Sequence, residues 1–536
     1  MRNKEEHAEL DGPRNASLVL LLHAHLPYCR RPDHPGSLEE NWFFEALTES
    51  YLPFVRMLDR LQSDGVAARL TLSLSPTLLC LLRDEHLLKR YRDRLAAVEK
   101  IARREARTGD FKDAAGWQAS FFEETLRTWD GRCGGDLLAV LREYADAGRI
   151  ELATTAATHA FLPAFQGRPD IVETQVRVGL DMFEDIFGFL PSFFWLPECG
   201  YFPGLETPLK AAGIRAFGLE HHGITRARPP SETGVHAPLR CPNGVVALAR
   251  DREISRRVWS AREGYPGHPH YREFHRDRIH ELPESALGEW MVESGVRLPS
   301  GLKYWRVSEP GREKAFYDPK AASKQAEEHA EHFLNELRKV ARAHGSATPA
   351  PLWFAPFDAE LFGHWWFEGP IWLESLFRAM ATQDTVVAVS ASEAAARYVR
   401  CPQGIPAPSS WGNRGDYSQW INRETDWIYP VLFDSHSRLM KLIEHRADGA
   451  ATGSPYDRAL RQTARTLLLA QASDWPFMMT TGTAADLANN QMERLFSRLE
   501  RLCADLENGT IDSSFLCECE ALDGAFPGLR LDRFTP

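Results

Sequence analysis

Three things are scarce in this 536-residue chain, and each scarcity removes a class of function. Basic charge is the first. Asp and Glu outnumber Lys and Arg by 74 to 63, for a net charge of −11. Nucleic acid and anionic membrane surfaces both reward clustered Lys and Arg, so neither is expected as a partner. Paired cysteine is the second. The nine Cys are scattered, odd in number and without a Cys-x-x-Cys, and Cys517-Glu-Cys519 lacks the second half that a metal site needs, so neither a disulfide framework nor a structural zinc site is expected. Long apolar runs are the third. The first of them, Leu18 to Leu22, is far too short for a secretion signal or a membrane span. Residues 1–16 are polar and read as a flexible leader, and the expected location is cytoplasmic. No period of 20 to 50 residues recurs, which excludes a solenoid. What remains, 43% hydrophobic and 26% charged, is ordinary globular composition with length for two or three domains. A neutral polymer is compatible with all of it.

The richest stretch runs from Trp353 to Pro370. Its apolar start breaks at Pro356, and then Asp358, Glu360, His364, Trp365, Trp366 and Glu368 follow within eleven residues. Asp358 read alone is as good a helix N-cap as a reactive group. Two adjacent Trp beside acids favour a sugar site, because a pyranose has an apolar face and a polar rim.

Other apolar runs end the same way. Leu18 to Leu22 runs into His23-Ala-His25, with both imidazoles on one side because strand side chains alternate. Ile150 to Thr154 is followed by Thr158-His159, and Phe193-Phe-Trp-Leu-Pro197 presents Glu198. With strands at Ala68 to Leu74, Ala216 to Leu219, Val245 to Leu248 and Val386 to Val389, about seven β/α units are expected. Polar groups at the C-terminal ends of successive buried strands mark a β/α barrel, whose loops on that face build the site. A doubly wound sheet would place them only at its switch point.

Residues 78 to 147 are charged and helical and read as an insertion in the barrel, which spans 17–400. Phe44 to Leu61 and Ala321 to Ala343 read as single helices. The loops Thr225 to Pro242 and Tyr265 to Tyr271 are rich in Pro, Gly or aromatic residues and suit a lid or a groove wall. Residues 401–536 read as a helical C-terminal domain, with helices at 430–447, 457–472 and 483–507 and a tail from Leu522 packed on the surface. Ser473-Asp-Trp-Pro-Phe477 interrupts an apolar helix with an acid, as expected of a loop that turns back to the barrel mouth.

Two carboxylates on separate strand ends, Glu198 and Asp358, meet the requirement for glycosidic cleavage: one attacks the anomeric carbon while the other carries a proton to or from the bridging oxygen. A competing chemistry is a metal hydrolase with His23, His25, His159 and an Asp as ligands. Against it, Trp is abundant and the other strand ends carry no His pairs.

His23-Ala-His-Leu-Pro-Tyr28, Ala157-Thr-His-Ala160, Trp195-Leu-Pro-Glu-Cys199, Ala355-Pro-Phe-Asp-Ala-Glu-Leu-Phe-Gly-His-Trp-Trp366 and Ala472-Ser-Asp-Trp475 resemble, in order, the five signature regions of glycoside hydrolase family 57. Val258-Trp-Ser260, Glu263-Gly-Tyr-Pro-Gly267, Tyr304-Trp-Arg-Val307, Ser410-Trp-Gly412 and Thr425-Asp-Trp427 are similar to its 1,4-α-glucan branching enzymes. The resemblance implies a (β/α)7 barrel with a helical insertion and a helical C-terminal domain, and retaining chemistry on α-glucans such as amylose, amylopectin and glycogen, without metal or organic cofactor. It implies Glu198 as nucleophile and Asp358 as general acid/base, with His23, His25, His159 and His364 around the central subsite. Trp42, Trp305, Trp411 and Trp420 become candidate stacking platforms, and Asp474 a support from the C-terminal domain. One departure stands out: where the family's branching enzymes carry a loop-tip Tyr that keeps water from the intermediate, Pro229 to Gly234 aligns Thr233. Transfer to a glucan hydroxyl, hydrolysis by water and non-catalytic glucan binding are thus the three outcomes to separate.

Overall fold

A computed structural model describes residues 15–34, 36–108, 111–287, 297–308, 313–345, 349–445 and 452–534. The leader assigned to 1–16 lies outside these residues except at its end, where Ala16 is already buried in the first strand.

Nine strands are present among the described residues: β1 (Ala16–Ala24), β2 (Leu70–Leu74), β3 (Ile150–Thr154), β4 (Phe193–Trp195), β5 (Ala216–Leu219), β6 (Leu239–Arg240), β7 (Val246–Ala249), β8 (Leu352–Asp358) and β9 (Val386–Ala388). They form one sheet in the order β6-β7-β5-β4-β3-β2-β1-β8, with β9 on β1. Seven strands, β1 to β5, β7 and β8, are mutually parallel. A bridge between Arg250 and Phe354, where Asp251 N–H donates to the Phe354 carbonyl at 2.9 Å, closes β7 onto β8 and makes the ring. This is a (β/α)7 barrel. Pro356 stands inside β8 although it has no N–H to give. Its amide faces the same side as that of Phe354, the β7 seam, where β7 has already ended, so no ladder bond is lost.

Side-chain alternation turns one row of each strand inward. Val19 and Leu21, Phe193 and Trp195, Val246 and Leu248, and Leu352 and Phe354 fill the barrel interior. Continuing each row by two residues gives His23, Arg250 and, two steps on, Asp358, while Gly218 leads to Glu220. The chemistry at the mouth is the upward continuation of the core stripe.

The stretch expected to be helical over 78 to 147 carries helices Pro76–Leu81, Glu85–Thr108, Lys112–Arg127 and Leu137–Asp146, with a π-turn at Thr128–Arg132. The stretch expected as one helix over 44–61 is three pieces: Leu38–Glu45, a π-helix Ala46–Tyr51, and Leu52–Ser63. The helix at 321–343 extends over Pro319–His344, where Asp318 caps it. C-terminal helices occupy Ile428–Glu444, Pro455–Ala470, Asp474–Thr481 and Ala485–Asn508. Two expectations fail. His159 is not at a strand end, since β3 stops at Thr154 and His159 lies five residues on in the loop. The tail is not merely laid on the surface: Phe526, Leu529, Leu531 and Phe534 are buried, and Arg533 pairs with Asp181 of helix Pro169–Phe187 at 2.7 Å. Hydrophobic residues are also continuous from the barrel's outer layer through the C-terminal helices, so the two halves share one core.

The two loops expected as lid or wall behave differently. Tyr265 and Tyr271 are buried, their hydroxyls paired with His332 and His329 at 2.9 and 2.7 Å, and pin the loop to helix Pro319–His344. The 225–242 loop is tied to the barrel seam: Arg228 pairs with Ile405, and the His236 carbonyl accepts from Leu352 N–H at 2.9 Å.

Candidate active site

Glu198 follows β4 in a single 3-10 turn, Pro197–Cys199. Its φ is +60°, with Cys199 at +51° and His159 at +54°. These are three of the four described non-glycine residues in the left-handed region, where a side chain costs about 1 to 2 kcal/mol. Such strain persists only where surroundings impose it, and here it turns Glu198 and His159 into the mouth. Trp411 grips Glu198 twice: its backbone N–H donates to the Glu198 carbonyl at 2.9 Å, and its indole Nε1 to Oε2 at 2.6 Å. Ser473 Oγ donates to Oε1 at 3.1 Å. Both side-chain donors come from beyond residue 400.

The imidazoles form a directed relay. His23 Nε2 lies 3.0 Å from His159 Nε2, His23 Nδ1 lies 3.3 Å from Ser73 Oγ, and His159 Nδ1 lies 2.9 Å from Ser473 Oγ. Ser473 spends its one proton on Glu198, so it must accept from His159 Nδ1–H. His159 Nε2 then carries a lone pair and accepts from His23 Nε2–H, and His23 Nδ1 accepts from Ser73. Each imidazole is neutral in this chain. Burial and the neighbouring imidazoles keep both well below the ordinary His value, in agreement. His25 stacks on His159 at 3.9 Å and pairs with Asp474 at 3.2 Å. Burial pulls His25 down, but the charge and hydrogen bond of Asp474 outweigh it and raise its pKa. The ring nitrogens of His23, His25 and His159 lie within 4.8 Å of one another, close enough for a metal ion. The donor chemistry fits a metal poorly: the two Nε2 atoms are spent on each other at 3.0 Å, one as donor and one as acceptor, so neither has a lone pair free for an ion.

Asp358 ends β8 in register with His23. No donor to its carboxylate is found among the described residues. Burial pushes it up to about 6, against the nearby charges of His25 and Arg250. Burial also pushes Glu198 up to about 7, opposed by the Trp411 hydrogen bond and aided by the charges of Asp474 and Asp358. One apolar mouth therefore holds two carboxyls that are costly to ionise together.

The π-helix Ala46–Tyr51 props up this loop. Tyr51 hydroxyl donates to Glu360 Oε1, to which the His25 backbone N–H also donates at 3.3 Å. Glu49 Oε2 holds His364 Nδ1 at 2.6 Å, while Arg272 Nη2 takes the other oxygen at 2.6 Å. Gly363 makes this possible: with φ +119°, a Cβ there would sit 1.8 Å from the Glu49 carbonyl oxygen.

His23, His25, His159, Trp411, Asp474, Glu198 and Asp358 thus form one connected group, with His364 on the adjoining wall. The other Trp candidates separate. Trp42 is half-buried in a hollow that Tyr28 and Trp475 also line. Trp305 is 3% exposed, its ring covered by the Arg276 guanidinium at 3.7 Å, and Trp420 is 1% exposed and stacked on Phe161 at 4.3 Å. Neither offers a free face, so both are packing residues here. Trp365, 48% exposed beside His364, does offer one. Sequence reading assigned no role to Ser473 or Glu360 and held no hint of Tyr51, Glu49 or the Arg250–Glu220 ion pair at 2.8 Å that backs Trp411.

The Trp411 bond makes a specific expectation. Trp411→Phe keeps the ring but removes a donor that favours ionised Glu198, so the carboxyl pKa rises further and the acid limb of the pH–kcat profile moves to higher pH. A lost charged hydrogen bond of about 1.5 to 3 kcal/mol corresponds to a rate loss of roughly 10- to 100-fold. An unmoved limb would remove Trp411 from this role.

The chain matches the Glycosyl hydrolase family 57 model over residues 19–403 and a 1,4-alpha-glucan branching enzyme C-terminal model over residues 434–534. A 1,4-alpha-glucan branching enzyme of Thermococcus kodakarensis is 32% identical over 95% of this chain and 77% of that one. The alpha-amylase AmyC of Thermotoga maritima superposes with a TM-score of 0.89 at 34% identity, covering 97% of this chain and 99% of that one. A GH57-type branching enzyme of Pyrococcus horikoshii superposes with a TM-score of 0.85 at 30% identity, covering 98% and 97%. Motifs, barrel and mouth agree with these matches: the chain belongs to glycoside hydrolase family 57.

Proposed function

We propose that this protein is a 1,4-α-glucan branching enzyme, a glycosyltransferase that cuts an α-1,4 chain, holds it on Glu198 and passes it to a 6-hydroxyl. The observation that carries the assignment of roles is the asymmetry between the two acids. Glu198 has two hydrogen-bond donors, Trp411 and Ser473, and Asp358 has none among the described residues. Donors favour the ionised form and partly offset the burial that raises Glu198 to about 7 and Asp358 to about 6; attack requires the one proton the pair retains to sit on Asp358. Asp358 gives it to the bridging oxygen as Glu198 attacks C1 and the C1–O bond breaks. It then takes a proton from the incoming hydroxyl as that oxygen displaces Glu198. Two inversions at C1 retain configuration. His23 and His159, neutral and hydrogen-bonded in series, fix Ser473 on Glu198, and Asp474 keeps His25 near both acids.

The division into barrel, helical insertion and C-terminal domain, and a cytoplasmic site of action on storage α-glucan, belong to the same proposal. Hydrolysis is the second reading. Thr233 is exposed, and its hydroxyl pairs with Ser231 at 3.2 Å on a loop tied to the barrel seam, so this position presents no aromatic shield against water. Incubation with amylose separates the two. New α-1,6 linkages in excess of new reducing ends support branching; reducing ends without α-1,6 linkages select hydrolysis, and neither product leaves a binding protein.

A further inference from the structure

Arg250 is a cation at the mouth whose donors meet no hydrogen-bond acceptor among the described residues. It continues the inward row of β7, two residues beyond Leu248, and its backbone bridges to Phe354 at the barrel seam. Its side chain is 13% exposed. Nε lies 2.8 Å from Glu220 Oε2 at the neighbouring strand end, but this charge contact is not aligned as a hydrogen bond. Glu220 therefore anchors the guanidinium without spending its fork. Nε is sealed from solvent, whereas Nη1 and Nη2 are not, and no hydrogen bond from either is found among the described residues. A guanidinium has five N–H donors and no acceptor, so whatever meets its open side must accept: water, or a substrate oxygen.

Its neighbours indicate which part of a substrate that would be. The guanidinium carbon lies 5.8 Å from the ring centre of Trp411, whose indole grips Glu198, and its charge is felt at Asp358. Arg250 thus stands on the wall that joins the two acids, where the sugar unit under attack must lie. In an internal unit of an α-1,4 chain O1 and O4 are in linkages and O6 stands off the ring, which leaves O2 and O3 as the neighbouring free pair. A planar fork of N–H groups suits two oxygens side by side, whereas an ammonium is a single point charge.

We propose that Arg250 is a further substrate-binding residue, whose Nη atoms donate to O2 and O3 of the glucosyl unit taken up by Glu198. It rests on the α-glucan reading of the active site. A sugar lacking either hydroxyl leaves the fork facing no acceptor, so the same residue determines specificity at the unit being transferred.

Two variants of the full chain test it. Arg250→Lys keeps the charge that balances buried Glu220 but not the fork. Arg250→Met combined with Glu220→Gln removes both charges, so that neither is left buried alone. The substrate is an aryl α-maltoside, together with the 2-, 3- and 6-deoxy forms of its reducing-end glucose, the unit whose bond to the phenol breaks. Comparing each deoxy penalty between variant and parent cancels the intrinsic reactivity of the deoxy sugar. The expected result is a kcat/KM on the full maltoside roughly 10- to 100-fold lower in both variants, the scale of a charged hydrogen bond. The 2- and 3-deoxy penalties of the parent shrink by about tenfold in the variants, and the 6-deoxy penalty stays. Equal penalties in parent and variants overturn the proposal, as does full rescue by Lys, which marks a charge kept only for Glu220 and Trp411. A displaced pH limb with unchanged penalties marks action on Asp358 alone and overturns it too. Calorimetric titration with maltotriose on the Glu198→Gln background repeats the comparison without turnover. A parent that turns over nothing yet binds maltotriose more tightly than the variants keeps Arg250 and removes the catalytic reading. Normal turnover with equal penalties removes Arg250 alone.

Discussion

Glu198→Gln is expected to lower turnover of amylose by about four orders of magnitude or more, the scale seen when a covalent nucleophile is removed, while leaving the fold at least as stable. The two halves of this expectation have one cause. Burial raises the Glu198 pKa from its ordinary 4.5 to about 7, so the folded state disfavours the very charge that attack requires. A carboxyl raised on folding contributes no penalty below its unfolded pKa, where it is protonated in both states. The penalty grows between about 4.5 and 7 and is complete above that. Glutamine cannot ionise and escapes it. The variant's melting temperature is therefore expected to match the parent's near pH 4 and to equal or exceed it near pH 8, as at sites where function is held against stability. Gel retention on amylose is kept. A Gln variant that still turned over, or one that melted far below its parent at pH 8, would end the nucleophile assignment.

Asp358→Asn carries the second large effect. General acid–base catalysis contributes about 10²- to 10⁴-fold, and the loss is expected to depend on the leaving group. Amylose, whose departing oxygen needs a proton, loses the full factor. An aryl α-maltoside with an acidic phenol leaves without help, so its first step is nearly spared and intermediate accumulates as a burst. The pH profile changes as well. General acid must be protonated, so the parent loses activity on the alkaline side as the proton shared by the pair departs, and the variant lacks that limb. Equal losses on both substrates would place Asp358 in binding rather than proton transfer.

Much of the mouth was legible because barrel chemistry continues the inward stripe of each strand. Val19, Leu21, His23 and Leu352, Phe354, then Asp358 could be read by counting in twos. Glu220 after β5 and Arg250 after β7 obey the same count and were available to it. His159 was found through its motif, since four loop residues separate it from β3 and no periodicity crosses that gap. Aromatic content misled at Trp305 and Trp420: a ring suited to stacking on sugar is equally suited to Arg276 or Phe161, and burial decides between them. Ser473 lay in a loop expected to reach the mouth, but its role did not show, because one hydroxyl in a loop looks like any other until Glu198 is opposite it. Glu49 and Tyr51 were hidden by a helical pattern that runs on through a change of pitch.

That change of pitch has a corollary for deletions. A regular α-helix advances about 100° per residue, so dropping one residue between Ala46 and Tyr51 would let the segment relax into a continuous α-helix with every strand of the sheet untouched. Its anchors for Glu360 and His364 would swing to another face. A chain carrying such a deletion is expected to keep a well-formed barrel around a silent mouth.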